Sequence, residues 1–166
     1  MTTTQPLAME VLTVDAWLPF GAVPADEGSA NDTADLEFLW SDGHVNFIAH
    51  AYDEIERSAT GAARCDLLNR HDTHTQTLMP MGAAAVIVVA PATVAFARPD
   101  DLDHVRAFRL EPFECVHLAR GTWHWGPFPV APGVLRCFNV QGRGYPRDNA
   151  VARLGADLGV VLEVGP

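Results

Sequence analysis

With 166 residues, 48% of them hydrophobic and 19% charged, the chain is long enough to bury a core and too apolar to be disordered. A formal charge of −10 argues against a nucleic-acid backbone or an anionic membrane as the main partner, leaving a small molecule. Cys65, Cys115 and Cys137 are widely spaced with no CxxC pair, which speaks against a zinc ribbon or a disulfide framework.

Taken in chain order, the start lacks the basic and apolar pattern of a signal peptide, and a cytoplasmic location is expected. Thr13 reads as the N-cap of a short helix that Pro19-Phe20-Gly21 stops. A polar loop at 28–35 precedes strands predicted at 37–40 and 44–52, and a second loop covers 58–64. Further strands are predicted at 76–81, 85–90, 94–97, 104–110, 113–119, 134–141 and 159–164, with a short helix or irregular turn at 147–155. These runs are rich in β-branched and aromatic residues, and Gly, Pro, Asp or Asn punctuates them every ~8–12 residues, the signature of an all-β sandwich or barrel. One antiparallel domain spanning 1–166 is the expectation. The run at 83–90 is the longest apolar stretch and has the length of a strand, not of a membrane span.

Seven histidines punctuate the sequence: His44, His50, His71, His74, His104, His117 and His124. Two have an informative context. His124 follows Arg120-Gly121-Thr122-Trp123, a glycine turn leading into a strand, which is how a small barrel aims an imidazole inward. This resembles the second cupin motif, with Ala119 where its proline would stand. The first motif's H-x-H, acid and glycine have counterparts in Asn69, His71, Gln76 and Gly82. Strand periodicity places Asn69 and His71 on one face and His74 on the other, so His74 is read as structural or exposed. If a metal binds, His71, Gln76 and His124 would be its ligands. With amides at two positions no cofactor is expected, although a divalent metal stays as an alternative.

The ordered string Arg70-His71, Thr75-Gln76, Pro80-Met81, Pro99-Asp100, Arg106-Ala107-Phe108 and Arg120-Gly121-Thr122-Trp123-His124 resembles the ureidoglycolate lyase family. The resemblance implies a cupin-type antiparallel β-barrel or jelly roll with one or two short helices, and a homodimer. It also implies a role in purine degradation, splitting ureidoglycolate into glyoxylate and urea. His71 and His124 would then be the acid–base pair, with Gln76 orienting the substrate and Asn69, Arg70, Arg120, Trp123 and Gln141 binding it. Three residues and one spacing depart from the family pattern. His50 stands where an arginine is usual, Asn69 replaces a glutamate, Gln141 replaces an aspartate, and the compact W-H-H-P is stretched to Trp123-His124-Trp125-Gly126-Pro127. These losses point to a small polar hydroxy or carboxylate substrate that has diverged from ureidoglycolate. A metal-dependent cupin isomerase or oxygenase, or a non-catalytic small-molecule-binding cupin, are the rival readings.

Overall fold

A computed structural model describes residues 2–29 and 34–165. Thirteen strands run in chain order. They are β1 (Thr3–Val11), β2 (Gly21–Ala22), β3 (Gly43–Ala51), β4 (Ala63–Cys65), β5 (Leu67–Arg70), β6 (Gln76–Met81) and β7 (Ala85–Ala90). The remainder are β8 (Arg106–Leu110), β9 (Val116–Leu118), β10 (Trp123–Pro129), β11 (Val134–Gly142), β12 (Ala150–Arg153) and β13 (Val160–Gly165). They form an eight-stranded sheet in the order β12-β5-β10-β7-β8-β1-β13-β4 and a five-stranded sheet in the order β2-β9-β6-β11-β3. The all-β architecture expected from the sequence is the one adopted. Pairing is not purely antiparallel, because β1 runs parallel to both β13 and β8.

Strand β7 shows why two sheets form. All six of its residues are apolar and buried, so both of its faces need cover. Ala85, Ile87 and Val89 join Leu78, Val116, Leu118, Leu135 and Cys137 of the five-stranded sheet in one core, sealed by Trp17, Phe20 and Phe108. Those three rings meet edge-to-face at 5.2–5.9 Å. Val86, Val88 and Ala90 face the opposite way, into a second core that includes Cys65, Leu68, Trp123, Trp125, Leu154 and Leu162. The eight-stranded sheet therefore curls around its own concave side. Its last strand in spatial order, β4, is followed in sequence by β5 near the other edge, separated only by Asp66.

The helix expected after Thr13 is present as α1 (Val14–Trp17), and the Thr13 hydroxyl accepts from the Ala16 amide at 3.2 Å. Three expected elements differ. Residues 37–40 form no strand, only an isolated bridge between Phe38 and His74. Residues 94–97 are irregular, and Phe96 has a positive φ of 51°, which a strand does not tolerate. The segment read as helix or turn at 147–155 contains β12, followed by a helical turn at Leu154–Leu158.

Candidate active site

Two strands of the five-stranded sheet change character along their length. On the face toward the other sheet, β11 runs from Leu135 and Cys137 to Asn139 and Gln141, and all four are buried. On β6 the same face passes from Leu78 to Gln76. The polar ends are cross-linked by amides. Gln76 Nε2 donates to Asn139 Oδ1 at 2.8 Å and to Gln141 Oε1 at 3.3 Å. Asn139 Nδ2 donates to Asn46 Oδ1 at 2.8 Å, and Asn46 Nδ2 to His44 Nε2 at 3.3 Å. Both hydrogens of the Gln76 amide face oxygen, which leaves its Oε1 buried without a partner.

Above this layer sit three imidazoles. His124 projects from β10 directly opposite Asn69 of β5. Gly121 makes that placement possible. It lies at φ 77°, a Cβ there would meet the Ala92 side chain at 3.1 Å, and its amide donates to His71 O at 2.7 Å. The glycine that aims His124 thus also ties down His71. The two rings lie 5.2 Å apart, centroid to centroid, and His74 stacks on His71 at 4.5 Å with 22° between the planes.

The tautomers follow from the acceptors. His124 Nδ1 lies 3.2 Å from Thr122 O, and His71 Nδ1 contacts Asp148 O; a carbonyl only accepts, so both Nδ1 atoms carry hydrogen. His74 Nδ1 faces the Asp148 carboxylate at 3.4 Å, with the same result. The Nε2 atoms of His71 and His124 are left free for chemistry, while that of His74 is buried and unpartnered. Burial, reinforced by the neighbouring His71 ring, pushes His124 down to about 4. The same two causes bring His74 to about 4 against the opposing pull of Asp148. Both are neutral at physiological pH. Burial alone would raise the Asp148 carboxyl, but hydrogen bonds from Thr73 and from the Asp72 and Thr73 amides hold it below the usual carboxylate range.

His71 and His124 form the floor of a cleft of about 320 Å³, bounded by Asn46, Asn69, Gln141, Tyr145 and Asn149. A gap of about 10 Å³, roughly the room of one water, is lined by His71, His74, Gln76 and His124 together. Of the residues expected in the site, His71, His124, Gln76, Asn69 and Gln141 are brought together.

Three others are not. Arg70 pairs with Asp72 at 3.0 Å and lies over the Trp123 ring. Arg120 pairs with Glu37 and donates to Asp72 O. Trp123 alternates with His124 on β10 and therefore points into the second core, its Nε1 donating to Val94 O at 2.8 Å. His74 corrects the reading in the opposite direction. Strand β5 ends at Arg70 and β6 begins at Gln76, so alternation does not run through the turn between them, and His74 swings back beside His71. Asp148 was missed altogether. It lies 77 residues from His71, and no local pattern announces a carboxylate that caps a distant turn.

The donor set does not suit a metal ion. An ion bound in the ring plane by both His71 and His74 would need those planes to cross close to both Nε2 atoms. At 22° and 4.5 Å they run nearly alongside each other. His71, Gln76 and His124 would then offer two neutral nitrogens and a weak amide oxygen, with the Asp148 carboxylate already occupied by Thr73, Asp72 and His74. Among the described residues, no group of three His, Cys, Asp or Glu is arranged to hold a metal.

A solved sugar phosphate isomerase of the cupin superfamily from Silicibacter pomeroyi is 13% identical over 71% of each chain, with a TM-score of 0.39. A ureidoglycolate lyase from Burkholderia cepacia is 31% identical over 163 residues, covering 90% of this chain and 86% of the relative. The family model for ureidoglycolate lyase matches residues 4–151, a span that holds both histidines, the amide layer and Asp148. The chain belongs to the ureidoglycolate lyase family.

Proposed function

We propose that the protein is a carbon–nitrogen lyase that cleaves a small carbinolamide, a carbon bearing both a hydroxyl and a ureido nitrogen, by histidine acid–base chemistry. One observation carries this reading. Two imidazoles about 50 residues apart in sequence meet at 5.2 Å on the floor of a small polar cleft, each with Nδ1 committed to a carbonyl and Nε2 free.

The reaction moves a single proton. Neutral His124 takes it at Nε2 from the substrate hydroxyl as the carbonyl forms and passes it to the bare Nε2 of the neighbouring His71, which delivers it to the departing nitrogen as the carbon–nitrogen bond breaks. Both rings end as they began, so the products are an aldehyde and a urea and no co-reactant is consumed. Fixing Nδ1 on a backbone carbonyl keeps each ring in the useful tautomer and orientation. The cleft amides hold the ureido group, and the Gln76 oxygen faces the water-sized gap shared with the histidines. No step passes through a metal.

The test is His124→Asn. An asparagine amide nitrogen can occupy the place of Nδ1 and keep the bond to Thr122 O, while everything on the Nε2 side is removed. Release of glyoxylate from ureidoglycolate, or of aldehyde from a related carbinolamide, is expected to fall about 10²–10⁴-fold with the fold retained by circular dichroism. A fully active variant overturns the assignment.

A further inference from the structure

We propose that the cleft selects an uncharged ureido or carboxamide compound over a carboxylate, so that the preferred substrate is a neutral carbinolamide. This rests on the lyase reading for the reaction, though not for the binding preference itself.

The walls supply the argument. Asn46, Asn69, Gln141 and Asn149 present carboxamides to the cleft, and among the described residues no arginine lines it or the gap beside it. The sequence supplies no lysine that could take that part. Two arginines close in sequence to the histidines are committed elsewhere, Arg70 to Asp72 and Arg120 to Glu37. Arg143 and Arg147 belong to the segment that bounds the mouth, but both are exposed and neither lines the cleft. His50, at the far end of β3, is engaged with Glu54 at 2.8 Å. Among the described residues, the buried carboxylate beside the histidines is that of Asp148, which is negative, as is the molecule as a whole.

A carboxylate entering here would lose hydration without meeting a countercharge, and the field of the protein would oppose its approach. A ureido or carboxamide group has the opposite balance. Its N–H and C=O groups match the donors and acceptors of the wall. Two wall residues already pair in this way, Asn149 Nδ2 donating to Asn69 Oδ1 at 3.3 Å. A third, Gln141, is held from behind by another amide, its Oε1 accepting from Gln76 Nε2 at 3.3 Å.

Two inert ligands separate the possibilities by titration calorimetry at neutral pH. N-carbamoylglycine carries the carboxylate, and N-carbamoylglycinamide differs from it only in replacing that group by an amide. The amide is expected to bind at least about 10-fold more tightly, about 1.4 kcal/mol. Equal binding, or preference for the acid, overturns the proposal whatever the enzyme turns over. Asn149→Arg, at an exposed wall position, is expected to shift the ratio at least 10-fold toward the acid. Arg147→Gln is expected to leave both affinities unchanged, and loss of acid binding in that variant would show that the rim arginine meets a carboxylate and overturn the proposal. A parallel assay compares urea release from N-(hydroxymethyl)urea, which yields formaldehyde and urea, with release from ureidoglycolate. Faster turnover of the neutral compound supports both readings, and faster turnover of ureidoglycolate overturns the charge preference while the lyase reading stands. Turnover of neither compound, with the amide still bound more tightly, removes the lyase reading alone.

Discussion

Acid should unfold this protein through His74 and His124 well before its carboxylates titrate. Both rings are buried and stand at about 4 in the folded chain, against an ordinary value of 6.5. The folded state holds them neutral, while the unfolded chain protonates them below its own value, so between these limits the unfolded state binds more protons and stability rises with pH. The contribution is complete above about pH 6.5 and is lost as the pH falls toward 4. At pH 4.5 linkage amounts to about 2–3 kcal/mol for each ring, or about 5 kcal/mol for the pair, against a typical total of 5–15 kcal/mol for a domain. The groups around them are His71, His44 and Asp148. Burial also lowers His117, which adds in the same direction. Asp148, held low by its hydrogen bonds, gives up its share only below the ordinary carboxylate range. With a urea slope of about 2 kcal/mol/M, the unfolding midpoint should fall by about 2.5 M between pH 7.5 and 4.5. The double variant His74→Asn/His124→Asn keeps a donor toward Asp148 and Thr122 and removes the titration, so its midpoint should move by less than about 1 M. A wild-type midpoint that stays constant, or a double variant that shifts as far as the wild type, would refute the reasoning.

Asp148→Asn replaces an acceptor of the Asp72 and Thr73 amides and the His74 Nδ1 hydrogen by a group that brings its own N–H donors. A loss of about 2–4 kcal/mol is expected, with turnover falling because His74, stacked on His71, loses its carboxylate partner; thermal unfolding within a degree or two of wild type would contradict it. Metal analysis of the purified protein should give less than about 0.1 equivalent of any transition metal per chain, and chelator treatment should leave turnover unchanged. Stoichiometric metal retained through dialysis would mean that the His71 and His74 rings reorient from the stacked arrangement.

What the sequence made legible follows the range over which each signal acts. The six apolar residues of β7 announce a doubly buried strand by composition alone, and its bounds were predicted as they stand. The turn glycine before His124 is equally local, since a positive φ and a tight approach to Ala92 both concern Gly121 itself. Periodicity failed where its premise failed. Alternation requires continuous extended backbone, and between Arg70 and Gln76 the chain turns, bringing His74 into the cluster instead of away from it. At 94–97 the apolar residues serve the second core from an irregular segment, so their composition imitates a strand. Parallel pairing of β1 with β13 and β8 joins distant stretches and has no short-range mark. Asp148 is hidden for the same reason.

The change from apolar to polar along β6 and β11 explains how one sheet can serve both stability and chemistry. Leu78, Leu135 and Cys137 fill the space between the sheets at one end, where dense packing excludes water and fixes the strands. A few residues further along, Gln76, Asn139 and Gln141 occupy the same face, and burying them would be costly were they not bonded to one another. Because the apolar end holds the register, the amides need only satisfy each other, and Gln76 can be left with one acceptor open toward the histidines. An acid in place of Gln76 or Gln141 would bring a charge that these neighbours, all amides, have no cation to balance. The neutrality of this layer is therefore a consequence of how it is held together, and the same neutrality limits what the cleft above it can bind.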